Sequence, residues 1–142
     1  MYTKILVPTD GSKLSNRAIS EAAGIATLCG AKLLLLHVQQ PFEGPRGAYP
    51  GLGVAKHMKD AQREAGEKVV AAAAKAAGKA VAITKVVQDY SPYNAIIKAA
   101  KKEKCDLIVM ASHGRSGLSA VLVGSETQKV LTHTTIPVLV VR

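Results

Sequence analysis

Residues 105–125 read CDLIVMASHGRSGLSAVLVGS. The stretch opens on a short apolar run, Asp106–Met110, and turns through Ala111-Ser112-His113-Gly114. Nine residues after Gly114 it reaches Gly124-Ser125, and a second apolar run, Ile136–Val141, follows. A turn of small residues after one strand, with Gly-Ser opening a helix, lets backbone amides wrap around a phosphate. Gly114 and Gly124 bring bare backbone close to such a ligand. Ser112, Ser116 and Ser125 add hydroxyl donors, and Arg115 adds a charge. The helix behind the loop turns its free amides and positive end toward the anion. A glycine-rich loop ahead of a well-capped helix uses the same residues, so the stretch alone leaves both readings open.

The rest of the chain supplies the frame for that loop. Lys4–Val7 reads as a first strand, ended by Pro8, Asp10 and Gly11. Ser12 is placed to cap a helix running to about Cys29, with Gly30 closing it. Lys32–Val38 reads as a second strand. Its Leu33–Leu36 run is apolar on both faces, as in a sheet covered on both sides. A helix is expected over Val54–Ala77, stopped by Gly78, with Gly66 as a weak point inside it. Val81–Val87 reads as a third strand. Ser91-Pro92 then opens a helix as N-cap and first-turn proline, ending near Lys104. Asp106–Met110 is the fourth strand and Ile136–Val141 the fifth. Ser125 and Gln128 have capping-box spacing, which predicts a fourth helix from about Gly124 to His133.

Strands alternating with helices argue for an α/β domain built on a parallel sheet. Ligands in such sheets bind at the carboxyl ends of the strands, where strand order reverses. Thr9-Asp10-Gly11, Val38-Gln39, Asp89-Tyr90 and Ala111–Gly114 stand at those ends. Gln39–Gly53 (QQPFEGPRGAYPGLG) carries three prolines and four glycines and excludes regular structure. Its length is unusual for a plain connection and fits either a disordered segment or a lid over a ligand.

At 142 residues the chain is expected to form one domain, 1–142. Hydrophobic residues make up 48% and charged residues 20%, which excludes a disordered chain. Cys29 and Cys105 have no metal-ligand spacing and read as reduced thiols of a cytoplasmic protein. No apolar run approaches the ~18–20 residues that span a bilayer, so no membrane partner is expected. A net charge of +9 favours anionic partners: nucleotides, nucleic acid or an acidic surface. Charge alone gives only non-specific nucleic-acid binding. Lysines at the end of the third helix equally complement its dipole.

The first turn, Pro8-Thr9-Asp10-Gly11-Ser12, has neither a dinucleotide fingerprint nor a P-loop lysine. Asp10 is its only carboxylate. It serves either as an acceptor for ribose, base or metal, or as a turn residue bonding its own backbone. His37 reads as a core histidine, while His57 and His133 stand alone on helices. A phosphate-acceptor receiver domain needs paired acids after strand one and is set aside.

The opening ILVPTDGS (5–12), LLLLHV (33–38), the 105–125 stretch and the closing IPVLVVR (136–142) together resemble the universal stress protein family. The resemblance covers nearly the whole chain. Nucleotide-binding members carry a glycine, two residues, a glycine, nine residues, then glycine and serine or threonine. Here the spacing is kept from Ala111 through Gly114 to Gly124-Ser125, with alanine at the first glycine. If that position needs positive φ, alanine costs about 1–2 kcal/mol. If the glycine only makes room, a small shift absorbs the methyl.

The resemblance implies a single-domain three-layer sandwich, its five-stranded parallel sheet ordered 3-2-1-4-5 with helices on both faces. It implies an ATP or AMP site, with or without Mg2+. Asp10 and the backbone of Val38 would hold the adenosine end, beside Pro8 and Thr9. Gly114, Gly124 and Ser125 would hold phosphates, with Met110, Ala111, Ser112, His113, Arg115 and Glu126 around them. It also implies a homodimer through the last strand, Ile136–Val140, and a stress or signalling role with at most slow ATP turnover. A dimeric interaction protein with a vestigial pocket is the competing expectation.

Overall fold

The computed structural model describes residues 1–44, 53–114 and 123–142. Its elements run β1 (Lys4–Pro8), α1 (Lys13–Cys29), β2 (Lys32–Gln39), α2 (Val54–Ala76), β3 (Ala82–Gln88), α3 (Pro92–Lys102), β4 (Leu107–Ala111), α4 (Ser125–His133) and β5 (Val138–Val141). The five strands form one parallel sheet ordered β3-β2-β1-β4-β5. Strand order therefore reverses between β1 and β4.

Side-chain alternation along the strands divides the core in two. Ile5, Val7, Leu33, Leu35 and Val109 meet Ala18, Ile19 and Ala22 of α1 and Ala73 of α2 on one face. Leu6, Leu34, Leu36 and Ile108 meet Ile96 and Ala100 of α3 and Val130 of α4 on the other. The leucine run of β2 thus feeds both layers, which explains why it shows no polar face.

The ends of α1 follow the sequence expectation. Ser12 Oγ accepts the Ser15 N–H at 3.1 Å, and Gly30 closes the helix at φ 68°. The starts of α3 and α4 depart from it. The Ser125–Gln128 capping box does not form. Gly124 is the N-cap of α4, Ser125 is already helical, and no side chain caps the helix from that position. Ser91 precedes α3 as expected, but its hydroxyl caps nothing. Glu126 of α4 does that work, its Oε2 accepting the Tyr93 N–H at 2.9 Å. Its other oxygen pairs with Lys129 Nζ at 2.9 Å, and that ammonium lies 5.6 Å from the centre of the Tyr93 ring.

Two strand boundaries shift for covalent and polar reasons. β5 begins at Val138 rather than Ile136, because Pro137 has no N–H to donate. The Ile136 N–H goes instead to Thr134 Oγ1 at 3.1 Å. β4 begins at Leu107 rather than Asp106, whose carboxylate holds the start of β1. It accepts from Thr3 N–H (2.8 Å), Thr3 Oγ1 (2.7 Å) and Lys4 N–H (3.0 Å). Burial pushes the Asp106 carboxyl up, but these bonds outweigh it and leave it below its usual value.

Gly66 is more than a weak point in α2. A Cβ there would lie 2.7 Å from Gln39 Nε2. The bare backbone lets the Gln39 amide dock on the helix and donate to the Gln62 carbonyl at 2.7 Å. Gln62 returns a bond from Nε2 to the Gln40 carbonyl at 2.7 Å. The end of β2 is thereby fastened to α2. The remainder of the Gln39–Gly53 connection includes residues 45–52, outside the described residues.

Glu103, just past α3, joins two strands by pairing with Lys85 at 2.9 Å and Lys4 at 3.0 Å. Hydrogen bonds from Lys85 and then Lys4 lower its carboxyl from 4.5 to about 2. A carboxyl lowered on folding adds stability that is complete above its unfolded value and is lost as pH falls toward the folded one. Glu103→Gln is therefore expected to flatten part of the stability loss between pH 4.5 and about 2. Denaturant midpoints at steps across that range, for both proteins, check it. Parallel curves would show that the pairs do not hold in solution.

Candidate functional site

The crevice at the carboxyl ends of β1 and β4 is built from its floor upward. Thr9 leaves β1 while still bonded to the sheet, its N–H donating to the Leu36 carbonyl at 2.8 Å. His37 Nδ1 donates to the Thr9 carbonyl at 2.8 Å, which places a proton on that nitrogen. The buried Thr9 hydroxyl meets Ser15 Oγ at 3.1 Å and accepts the Gly11 N–H at 3.2 Å. Gly11 sits at φ 79°, a conformation that suits glycine. The turn is thus pinned from three sides, and His37, read from sequence as a core residue, is one of the pins.

On this turn Asp10 Oδ1 accepts the Ser12 N–H at 3.0 Å, so the turn-residue role is real. Its other oxygen faces Gly114. A Cβ on Gly114 would stand 2.7 Å from Asp10 Oδ2. The carboxylate and the second motif glycine are therefore brought against each other across the switch point.

Val38 lies beside them through strand geometry. Bonds in a parallel ladder alternate sides by residue. Lys32 N–H goes to Thr3 of the β1 side, and Leu36 O receives the Thr9 N–H there. The same alternation turns the N–H and C=O of Val38 to the β1 side, beyond Pro8, the last β1 residue in register. Val38 is thus paired laterally with Val87 of β3 and directs its amide and carbonyl into the crevice.

The opposite wall comes from β4 and α4. Met110 is buried in the core behind the wall, and Pro8 ends β1 in front of it. Ala111 is the last residue of β4, in register with Val141. It is not among the residues with positive φ. The strain that alanine would carry at a left-handed position does not arise, and only the room for its methyl remains at issue. Ser112 is 3% exposed, donates its N–H to Val141 O at 2.8 Å and meets His113 Nδ1 at 3.0 Å. Gly124 N–H donates to Ser112 O at 2.6 Å. A Cβ on Gly124 would stand 3.1 Å from Ser112 O and 3.2 Å from His113 Cα. Gly124 is therefore wedged against the backbone of the β4 turn.

Thr127 was not singled out in the sequence. It is buried, and its hydroxyl donates to the Ala111 carbonyl at 3.0 Å, tying the first turn of α4 to the end of β4. Its signal was a polar residue three before the buried Val130, on the same helix face. Glu126 is placed less simply than expected. Its carboxylate is turned to α3, leaving its backbone on the first turn of α4. Arg115 and Ser116 lie outside the described residues.

These pieces meet at the start of α4, an arrangement that can receive an anion. Gly124, as N-cap, has no side chain to bond the first-turn amides, and the positive end of the helix dipole stands behind them. The amides of Ser125, Glu126 and Thr127 have that position. Asp10 and Val38 add an acceptor and a backbone pair at the other end. A cleft of about 690 Å³ also lies between α2 and β3, lined by Gln39, Arg63, Glu67, Lys85 and Gln88 among others. Several of its charges are already paired. Arg63 stands 3.9 Å from Asp60 and from Glu67, and Lys85 is held by Glu103.

Comparison with known proteins agrees with this architecture. A family model described as the universal stress protein family matches residues 1–142. The chain is 34% identical to universal stress protein MJ0531 of Methanocaldococcus jannaschii, covering 100% of this chain and 83% of that one. It is also 34% identical to universal stress protein YxiE of Bacillus subtilis, covering 100% of both. Among solved structures it is similar to MJ0577 of the same archaeon, with TM-score 0.77, 30% identity, and 99% and 96% of the two chains covered. It is similar as well to a universal stress protein solved in complex with cAMP, with TM-score 0.69, 27% identity, and coverage of 99% and 97%.

Proposed function

Since the chain belongs to the universal stress protein family, we propose that its switch-point crevice binds adenine nucleotide, ATP in particular. The convergence of Asp10, Gly114 and Gly124 at the ends of β1 and β4 carries this reading. A relative with 27% identity and cAMP bound supports the adenine class. Asp10 and the Val38 backbone take the adenosine end. Gly114, Gly124 and the first amides of α4 take the phosphates, with Arg115 as the nearby charge. Among the described residues no group of three His, Cys, Asp or Glu side chains could hold a metal. Mg2+ would enter on the phosphates of ATP.

The protein is a cytoplasmic stress or signalling module whose output changes with nucleotide state. Turnover is at most slow, for the motif brings no P-loop lysine and, among the described residues, His113 and Asp10 are the bases beside the turn. Its homodimer forms through the exposed edge at Ile136–Val140, where β5 ends the sheet and Leu139 is open to solvent.

Calorimetric titration of nucleotide-stripped protein with ATP and Mg2+ tests the reading. Saturable heat is expected, with Asp10→Ala weakening it about tenfold or more, the worth of a lost charged hydrogen bond. No heat at high micromolar ATP, with no thermal shift, would leave the dimeric interaction protein with a vestigial pocket.

Ala111→Gly separates the two accounts of the altered motif. Because Ala111 is extended, glycine relieves no strain there. ATP affinity is expected to stay within about threefold, and stability to fall by about 0.5–1 kcal/mol from added chain entropy. A large gain in affinity would show that the methyl obstructs the phosphate.

A further inference from the structure

All four helices run antiparallel to the strands, so their carboxyl ends and the amino ends of the strands share one pole. The nucleotide crevice is at the other. The distal pole gathers Lys32 at the start of β2, Lys75 and Lys79 at the end of α2, and Lys101, Lys102 and Lys104 at the end of α3. All six are exposed. The acids that stand there, Glu103 and Asp106, are already engaged, the first by two ammonium groups and the second by Thr3 and Lys4. The other acids lie on the helix flanks or toward the crevice.

Three large apolar side chains open to water stand at the same pole. Leu28, in the last turn of α1, is 85% exposed, and Val81, just before β3, is 63% exposed. Met1, ahead of β1, is more exposed still. Cations at helix ends offset the dipole, which accounts for Lys75, Lys101 and Lys102. That explanation covers neither Lys32, which opens a strand, nor the outward Leu28 and Val81.

We propose that this distal pole is a docking face for anionic lipid bilayers, with the lysines on the headgroups and Leu28 and Val81 inserted between them. Basic residues with nearby apolar side chains are the combination that an anionic interface rewards. A nucleic-acid backbone would use the lysines but has no place for the two aliphatic side chains. Stacking surface is also scarce, for Tyr2 at this pole is partly buried against the core. The contact is peripheral, since no helix among the described residues is long and apolar enough to cross a bilayer. Docking in this way leaves the crevice facing solvent, so the proposal is independent of what the crevice binds.

The test is co-sedimentation of the full chain with vesicles of phosphatidylcholine alone and of equal phosphatidylcholine and phosphatidylglycerol. Binding is expected only to the anionic vesicles. Leu28→Ser, which changes no charge, should weaken it about tenfold, in line with the transfer of a leucine side chain. Lys101→Gln with Lys102→Gln should weaken it about tenfold or more. Two controls at the crevice pole, Val54→Ser and the pair Lys56→Gln with Lys59→Gln, should change it less than about twofold. Binding to neither vesicle, equal binding to both, or equal losses from controls and test variants would each overturn the proposal. So would full binding by Leu28→Ser together with tight capture of a single-stranded oligonucleotide, which would assign the pole to nucleic acid.

Discussion

Titration of ATP into the Gly124→Val variant is expected to give no saturable heat. The expectation comes from the packing around that residue. Its N–H donates to Ser112 O, and a Cβ would already press on Ser112 O at 3.1 Å and His113 Cα at 3.2 Å. Those neighbours are backbone, held in turn by the Ser112 N–H bond to Val141. They yield little, so the isopropyl group moves the start of α4 instead. The amides of Ser125, Glu126 and Thr127 then lose their position relative to Gly114 and Asp10. Overpacking of this kind costs about 1–3 kcal/mol of stability as well. A thermal melt run beside the titration separates lost binding from lost fold. Gly124→Ala grades the effect, since its methyl needs only a few tenths of an ångström, and about a tenfold loss of affinity is expected. Wild-type affinity in a folded Gly124→Val protein would mean that α4 does not hold the phosphates.

Leu35→Ala is expected to be the most damaging single core truncation of β2. Leu35 has no exposed surface and is held between α1, α2 and the neighbouring strands with Ile5, Val7 and Ala73. Small residues dominate that layer: Ala18, Ala22, Ala26, Ala31, Ala73 and Ala77. Their short side chains cannot swing in to fill the space that a leucine leaves. A loss near the upper part of the 2–5 kcal/mol range follows, about 10 °C or more in melting temperature. Leu35→Met, which keeps the volume, should cost less than about 1.5 kcal/mol. Equal losses for the two variants in urea melts would contradict a tightly packed layer.

The parts legible in the sequence were those decided by local chemistry. The Leu33–Leu36 run announced a strand covered on both faces, and it feeds both core layers. Ser12 and Gly30 marked the ends of α1 because an N-cap hydroxyl and a left-handed glycine act within a few residues. The helix expected from about Gly124 to His133 was placed to within a residue.

What the sequence hid depended on partners far along the chain. Ser125 and Gln128 have capping-box spacing, but close packing of Gly124 on Ser112 moves the helix start and leaves the box unmade. Glu126 caps α3 across 33 residues, a distance that no local pattern reports. Gly66 looked like a defect until Gln39 was found filling the space its side chain would take. Ala111 could not be judged from spacing, since only the backbone shows that its position is extended. The lysines at the end of α3 were visible in the sequence, but their companions at the distal pole and the outward aliphatic side chains beside them required the fold.

Amide chemical-shift mapping with ATP and Mg2+ tests the central claim most directly, because it reports the site residue by residue. The account predicts that the largest changes fall on Asp10–Ser12, Val38, Ala111–Gly114 and Gly124–Thr127. It predicts that Arg63, Lys85 and Gln88, which line the cleft between α2 and β3, stay unmoved. Shifts concentrated on that cleft, or none at saturating nucleotide, would contradict it.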